Sequence, residues 1–334
     1  TSALHLACLA LDIKNGDLVW TSPISFVASA NCAIYCGAQI DFVDIDINTY
    51  NISIENLEEK LELSKKLNKL PKLLIVVHLA GQSCDMKKIH DLSKLYGFKI
   101  IEDASHAIGG EYLNRKIGNC KFSDFAIFSF HPVKIITTCE GGVCLTNNKK
   151  LAQKVLTLRS HGIIREGYES KETSDGSWYY EQVDLGYNYR LNDLQSALGI
   201  SQLKRIDEFV DKRHIIAKKY ETILNNNKEI ILPYQGEKTY SSFHLYIIRV
   251  PLDKRKVIFE TLRNEGIFVN VHYIPIYRHP FYKKIGFEFQ QFPNAEMYYK
   301  TAISIPIYPE LNNIEIERIC EIIINNKMGY QNIF

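Results

Sequence analysis

Helical and strand periods alternate over the first half of the chain. Apolar residues recur at helical spacing over Ala3–Leu11 and then give way to the short run Leu18–Thr21. After the turn at Pro23, the small and apolar stretch Phe26–Tyr35 predicts a buried helix. Gln39–Asp44 predicts a strand, and the charged, amphipathic Ile54–Leu67 a helix. Lys72–His78 is apolar almost throughout, the pattern of a strand covered on both faces. A helix is expected over Met86–Tyr96 and strands over Phe98–Glu102, Asp124–Phe130 and Gly142–Thr146, with a further helix running to Arg159. This alternation predicts an α/β fold, a mostly parallel sheet with helices on both faces.

The pattern then changes. His161–Gln182 is polar and rich in Gly, Ser and Tyr, and reads as a long loop. Beyond Gly186–Arg190 one long helix is expected from Asn192 to Leu224, long enough to connect two domains. Strands near Phe243–Val250 and Phe268–Val271, with helices near Arg255–Glu265, Asn294–Ala302 and Ile314–Ile324, predict a smaller α+β domain. The expected organisation is a large domain over residues 1–191, a connecting helix over 192–225 and a small domain over 226–334.

Composition narrows the function classes. A net charge of +2 gives no electrostatic footing for nucleic acid or an anionic membrane. No apolar run approaches the roughly 18 residues of a membrane span. No basic stretch precedes the first apolar run, so the start does not read as a signal peptide. Thr1–Ala7 reads instead as a helix start with its cap in place, and a segment ahead of Thr1 is expected. None of the eight cysteines forms a C-x-x-C pair and most sit in apolar runs. They predict reduced, buried thiols of a cytoplasmic protein rather than a disulfide or metal framework.

The candidate chemistry gathers around Lys134. A strand pattern ends at Ser129-Phe130, a turn follows at Pro132, and the lysine comes next, ahead of Glu140-Gly141-Gly142. That order puts an amine at the carboxyl edge of a sheet, where open α/β sheets bind ligands. Burial there makes a lysine a nucleophile. Asp103 follows directly on another apolar strand, with His106 three residues on. Taken alone, Asp103 is explained as well by turn capping and His106 by packing. Phe26 opens the small-residue helix, where it suits a ring face or the core. Thr1 and Ser2 head a helix, a setting that holds phosphate well, and Ser129 adds a hydroxyl.

Five blocks together resemble the DegT/DnrJ/EryC1/StrS sugar aminotransferases. They are Thr1-Ser-Ala-Leu-His-Leu-Ala7, Ser25-Phe-Val-Ala-Ser-Ala-Asn31, Glu102-Asp-Ala-Ser-His-Ala107, Phe128-Ser-Phe-His-Pro-Val-Lys134 and Gly186-Tyr-Asn-Tyr-Arg-Leu-Asn-Asp193. The resemblance is collinear from Thr1 to the last helix, and family members carry a further segment ahead of its first block. It implies the type I fold of pyridoxal 5'-phosphate enzymes, with Lys134 as the Schiff-base lysine and Asp103 as partner of the ring nitrogen. His106 and Phe26 would lie near the ring, and Thr1, Ser2 and Ser129 on the phosphate side. Asn188 would reach the site of a neighbouring subunit in a homodimer with shared active sites, and Arg190 would hold phosphate or fix the loop.

Ser129–Gly142, Leu158-Arg-Ser-His-Gly-Ile163 and Val271-His-Tyr-Ile-Pro-Ile-Tyr277 further resemble the subgroup acting in pseudaminic acid biosynthesis. This implies L-glutamate as donor and a UDP-4-keto-6-deoxy-N-acetylhexosamine as acceptor, with Asn270, Val271, His272 and Tyr273 along the sugar-nucleotide pocket. A UDP-4-keto-pentose or GDP-4-keto-6-deoxymannose remains open as acceptor. So does a non-catalytic binding protein of this fold, whereas the sugar dehydratases of the fold replace the lysine with histidine.

Overall fold

The computed structural model describes residues 1–165, 178–287 and 292–325. In chain order the elements are α1 (Ser2–Ala10), β1 (Leu18–Thr21), α2 (Ala28–Tyr35), β2 (Gln39–Phe42), α3 (Ile54–Lys66), β3 (Leu73–Val77), α4 (Met86–Tyr96) and β4 (Lys99–Asp103). Then come β5 (Glu111–Tyr112), β6 (Arg115–Lys116), β7 (Phe125–Ser129), β8 (Gly142–Leu145), α5 (Lys149–Arg159), β9 (Ile163–Arg165), β10 (Tyr180–Gln182), α6 (Asp193–Leu203) and α7 (Ile206–Leu224). The chain continues through β11 (Thr239–Tyr240), β12 (Tyr246–Arg249), α8 (Arg255–Asn264), α9 (Pro280–Lys284), α10 (Pro293–Thr301), β13 (Ala302–Ile305) and α11 (Asn313–Asn325).

Local sequence explains several boundaries. The side chains of Ser53, Asp85 and Asn148 accept backbone N–H bonds at the starts of α3, α4 and α5, caps worth about 1 kcal/mol each. Gly97 ends α4 in the left-handed region at φ 83°. Asn192 and Gln195 form a reciprocal capping box at α6.

The central sheet runs β2-β1-β3-β4-β7-β8. Every pair is parallel except β7 with β8. Side-chain parity along the strands divides two cores. Val19, Ile75, Ile101 and Ile127 pack with α1 and α2, while Trp20, Leu74, Val76 and Ile100 pack with α3 and α4. All of β3 is buried, as its unbroken apolar run predicts. A third core joins α7, α8 and α11 to β12 and β13, and residues such as Ile276, Tyr277 and Tyr298 extend the sheet's own core. Among the described residues no helix is long and apolar enough to cross a membrane, and no His, Cys, Asp or Glu cluster could hold a metal. The cysteines are all free.

Three expectations are corrected. The single helix over Asn192–Leu224 is two helices, broken where Arg205 leaves helical geometry at φ −107° and ψ 6°. The helices bury different faces: α7 turns Phe209, Val210, Arg213, Ile216 and Tyr220 inward, while α6 buries nothing. No Pro or Gly marks the break. The strand expected over Phe268–Val271 reduces to one bridge, in which Asn270 pairs with Ser304 on the edge of β13 away from β12. The long loop from His161 begins and ends in an antiparallel pair, β9 with β10; residues 166–177 of that expectation lie outside the described residues.

The loop's base is a close backbone crossing. A Cβ on Gly186 would lie 2.0 Å from the Gly162 nitrogen, and one on Gly162 would lie 1.9 Å from the Asp184 oxygen. Backbone cannot move aside as a flexible side chain can. We therefore expect Gly186→Ala to lower the urea midpoint, with a loss of about 1–3 kcal/mol; an unchanged midpoint would show that the crossing is loose.

Candidate active site

Strand parity aims two groups at one place. Asp103 shares the parity of Ile101 and Ser129 that of Ile127, so both face the α1–α2 side of the sheet. Val77, Asp103 and Ile127 are register partners across β3, β4 and β7, which puts them at the carboxyl edge. Above that edge lies a cavity of about 350 Å³. Its walls include Thr1, Phe26, Asp103, His106, Ser129 and Lys134 from the first half of the chain, and His272 and Tyr273 from the second. Phe26 is 57% exposed and so forms cavity wall rather than core.

Lys134 is half-buried in the turn after β7, and its Nζ makes no hydrogen bond or ion pair among the described residues. Two effects compete on its amine. Burial disfavours the ammonium and the nearby Asp103 carboxylate favours it; burial wins and brings the pKa down to about 8.

Asp103 is buried, with three donors converging on it. Ser29 Oγ donates to Oδ2 at 2.6 Å, while Ser105 Oγ and the Ser105 N–H donate to Oδ1 at 2.6 and 3.2 Å. Each hydrogen bond to a charged group is worth roughly 1.5–3 kcal/mol, enough to offset much of the cost of burying a carboxylate.

His106 is neutral, because burial, with Lys134 and two other histidines nearby, holds its pKa well below the ordinary value. Its Nδ1 accepts from the Ala80 N–H at 3.3 Å, which leaves the ring proton on Nε2 to donate to Tyr273 Oη at 3.0 Å. The two rings lie 26° apart in plane. Burial, then Asp103, raises the Tyr273 pKa, so its phenol stays protonated. His272, brought down to about 4 by burial and Lys134, bonds Ser304 Oγ through Nδ1 at 2.9 Å.

A second cavity, of about 470 Å³, adjoins the first and shares Thr1, Ser129 and Gly141 with it. Ser2, Asn188 and Arg190 line this second cavity, not the first. Asn270 and Val271 line neither: Asn270 exchanges backbone hydrogen bonds with Ser304 at 3.1 and 2.8 Å.

Sequence reasoning missed four neighbours of these groups. Ser25 and Ser29, four apart, one just ahead of α2 and one in its first turn, were legible only as members of the block Ser25–Asn31, with no role of their own. Ser105, two residues after Asp103, had a signal in the side-chain turns that aspartates make. His244, whose ring lies 4.4 Å from that of His106, had none, because a tertiary contact alone brings it there.

Comparison with known proteins identifies the family. The DegT/DnrJ/EryC1/StrS aminotransferase family matches residues 1–324. The UDP-4-amino-4,6-dideoxy-N-acetyl-beta-L-altrosamine transaminase of Campylobacter jejuni is 41% identical over 316 residues, 93% of this chain and 79% of the relative. Among solved structures, Helicobacter pylori PseC, an aminotransferase involved in pseudaminic acid biosynthesis, superposes with a TM-score of 0.84 at 33% identity. That match covers 97% of this chain and 84% of the other. The sugar aminotransferase Spr1654 of Streptococcus pneumoniae in its PLP form gives 0.83 at 28% identity, over 96% and 83% of the two chains. The chain belongs to the DegT/DnrJ/EryC1/StrS aminotransferase family.

Proposed function

We propose that this aminotransferase moves the amino group of L-glutamate to C4 of a UDP-4-keto-6-deoxy-N-acetylhexosamine. The product is UDP-4-amino-4,6-dideoxy-N-acetyl-β-L-altrosamine, a precursor of pseudaminic acid. The observation that carries the chemistry is the Lys134 amine, without a hydrogen bond or ion pair among the described residues, sharing one cavity with the buried Asp103 carboxylate. The Campylobacter jejuni relative supports the substrate.

The residues fit pyridoxal 5'-phosphate. A lysine freed toward its neutral form suits the aldehyde, and a carboxylate held by three donors suits a protonated ring nitrogen. Phe26 and the His106–Tyr273 pair flank the space between them. Thr1, Ser2 and Ser129, around the N-terminus of α1, suit the phosphate; the Thr1 side chain makes no cap bond of its own there. When bound, the cofactor withdraws electrons from the reacting carbon. Lys134 Nζ removes the α-proton of glutamate in one half-reaction and protonates C4 of the sugar in the other. Asp103 keeps the ring nitrogen protonated, and neutral His106 orients the Tyr273 phenol at the cavity wall. His272 and Tyr273 meet the sugar nucleotide, with the Asn270–Ser304 bridge fixing the segment of Asn270 and Val271 that carries them.

A homodimer with shared sites completes the reading, and the 1–191, 192–225 and 226–334 division stands with it as a proposal. Leu194, Leu198, Ile200 and Leu203 are all exposed on α6, a helix that buries none of its residues. An apolar surface of that kind marks an association site, and Asn188 and Arg190 lie just before it in the chain.

Five results are expected. The purified chain takes up pyridoxal phosphate with a new visible absorbance band, and aminates the ketosugar with glutamate, read by product NMR at C4 and C5. Faster turnover of a UDP-4-keto-pentose or GDP-4-keto-6-deoxymannose would replace the substrate but not the chemistry. Lys134→Ala loses both the band and turnover; retention of both would sink the assignment. In the cofactor-free protein an amine-acylating reagent labels Lys134 with an apparent pKa near 8, followed by mass spectrometry, against about 10.4 for an ordinary lysine. Between those values the unfolded chain holds a proton that the folded chain lacks, so stability rises with pH. Urea midpoints of wild type relative to Lys134→Met should climb across that window. Leu194→Asp with Leu198→Asp gives a monomer by light scattering and most activity is lost; an intact dimer would place the interface elsewhere.

A further inference from the structure

We infer that Ser29 is a positioning residue for Asp103, and that Ser25 completes a hydrogen-bond chain from the cavity wall through Ser29 to the carboxylate. The inference rests on the reading that Asp103 meets the cofactor's ring nitrogen. Ser29 sits in the first turn of α2 with no exposed surface and does not line the cavity. Its Oγ is 2.6 Å from Asp103 Oδ2 and 2.7 Å from Ser25 Oγ. A hydroxyl has one proton. The Ser29 proton goes to the carboxylate oxygen, so Ser25 must donate to Ser29, and the direction of the chain is set. Ser25 itself lies on the cavity wall.

The three donors on Asp103 do different jobs. Ser105 lines both cavities but is two residues away in the same turn, so it moves with Asp103 rather than tying it to another element. Among the described residues, Ser29 is the one side chain from another element that holds this carboxylate. It ties the end of β4 to α2, and α2 packs directly on α1, whose first residues line the adjoining cavity. The Ser29 bond therefore sets the distance between the carboxylate and the helix start proposed for the phosphate. Losing it leaves Asp103 with its local turn but with Oδ2 free to swing.

The test is equilibrium binding of pyridoxal phosphate to the cofactor-free full chain, read by fluorescence quenching for wild type, S29A, S29C, S25A, D103N and D103N/S29A. S29A should weaken binding about ten- to a hundred-fold, the equivalent of one hydrogen bond to a charged group. S29C, with similar volume and a weaker donor, should fall between, and S25A should cost less than about three-fold because it leaves the bond to Asp103 intact. In the D103N background S29A should cost little more, whereas a merely structural serine would cost the same in both backgrounds. Wild-type affinity in both S29A and S29C, or equal losses in the two backgrounds, overturns the role of Ser29 while leaving the proposed function standing. If S29A does not fold, S29C decides. A wild type that binds no pyridoxal phosphate, or D103N that binds it as wild type does, overturns this inference together with the reading of Asp103 on which it rests.

Discussion

A carboxylate at the end of a buried strand must be met by donors, and the site depends on how Asp103 meets that requirement. An unpaired buried carboxylate would cost several kcal/mol, a large share of the roughly 5–15 kcal/mol that holds a typical domain folded. Its three donors come from a turn and from the start of α2. The demand of one charge therefore places a loop and a helix. The same charge opposes the effect of burial on Lys134 without cancelling it, and the amine ends nearer its neutral form than a surface lysine would.

Strand parity turns this local arrangement into a site. Alternate residues of β4 and β7 face opposite layers, so Asp103 and Ser129 point toward the α1–α2 side. Glu102 points the other way, into a closed pair with His78 at 2.9 Å and a bond from Ser123. Two adjacent acids of one strand thus serve different ends. Glu102 ties β4 to the chain after β3, and Asp103 faces the cavity.

The part of the site contributed by the second half of the chain rests on long-range contacts. Asn270 pairs with Ser304, His272 bonds the Ser304 side chain, and Tyr273 Oη accepts a hydrogen bond from His106 Nε2–H. Residues 272 and 273 are thereby fixed from both sides, by β13 behind them and by the loop after β4 in front. Surface ion pairs such as Lys87–Asp91 are screened by solvent and bear on none of this.

The chain's own pattern determined the elements of the large sheet. Strand and helix periods differ, Ser53, Asp85 and Gly97 mark helix ends, and an unbroken apolar run too short for a helix suits a strand covered on both faces. Lys134, Asp103 and His106 were legible because each follows an apolar strand or sits in a short block. Only the tertiary structure decided which face each strand end presents, and that Ser29 rather than a charged group secures Asp103. It also decided that α6 and α7 part company without a Pro or Gly, and that His244 and Tyr273 meet His106. Those outcomes depend on packing between segments far apart in the chain, and local periodicity carries no information about distance across a fold.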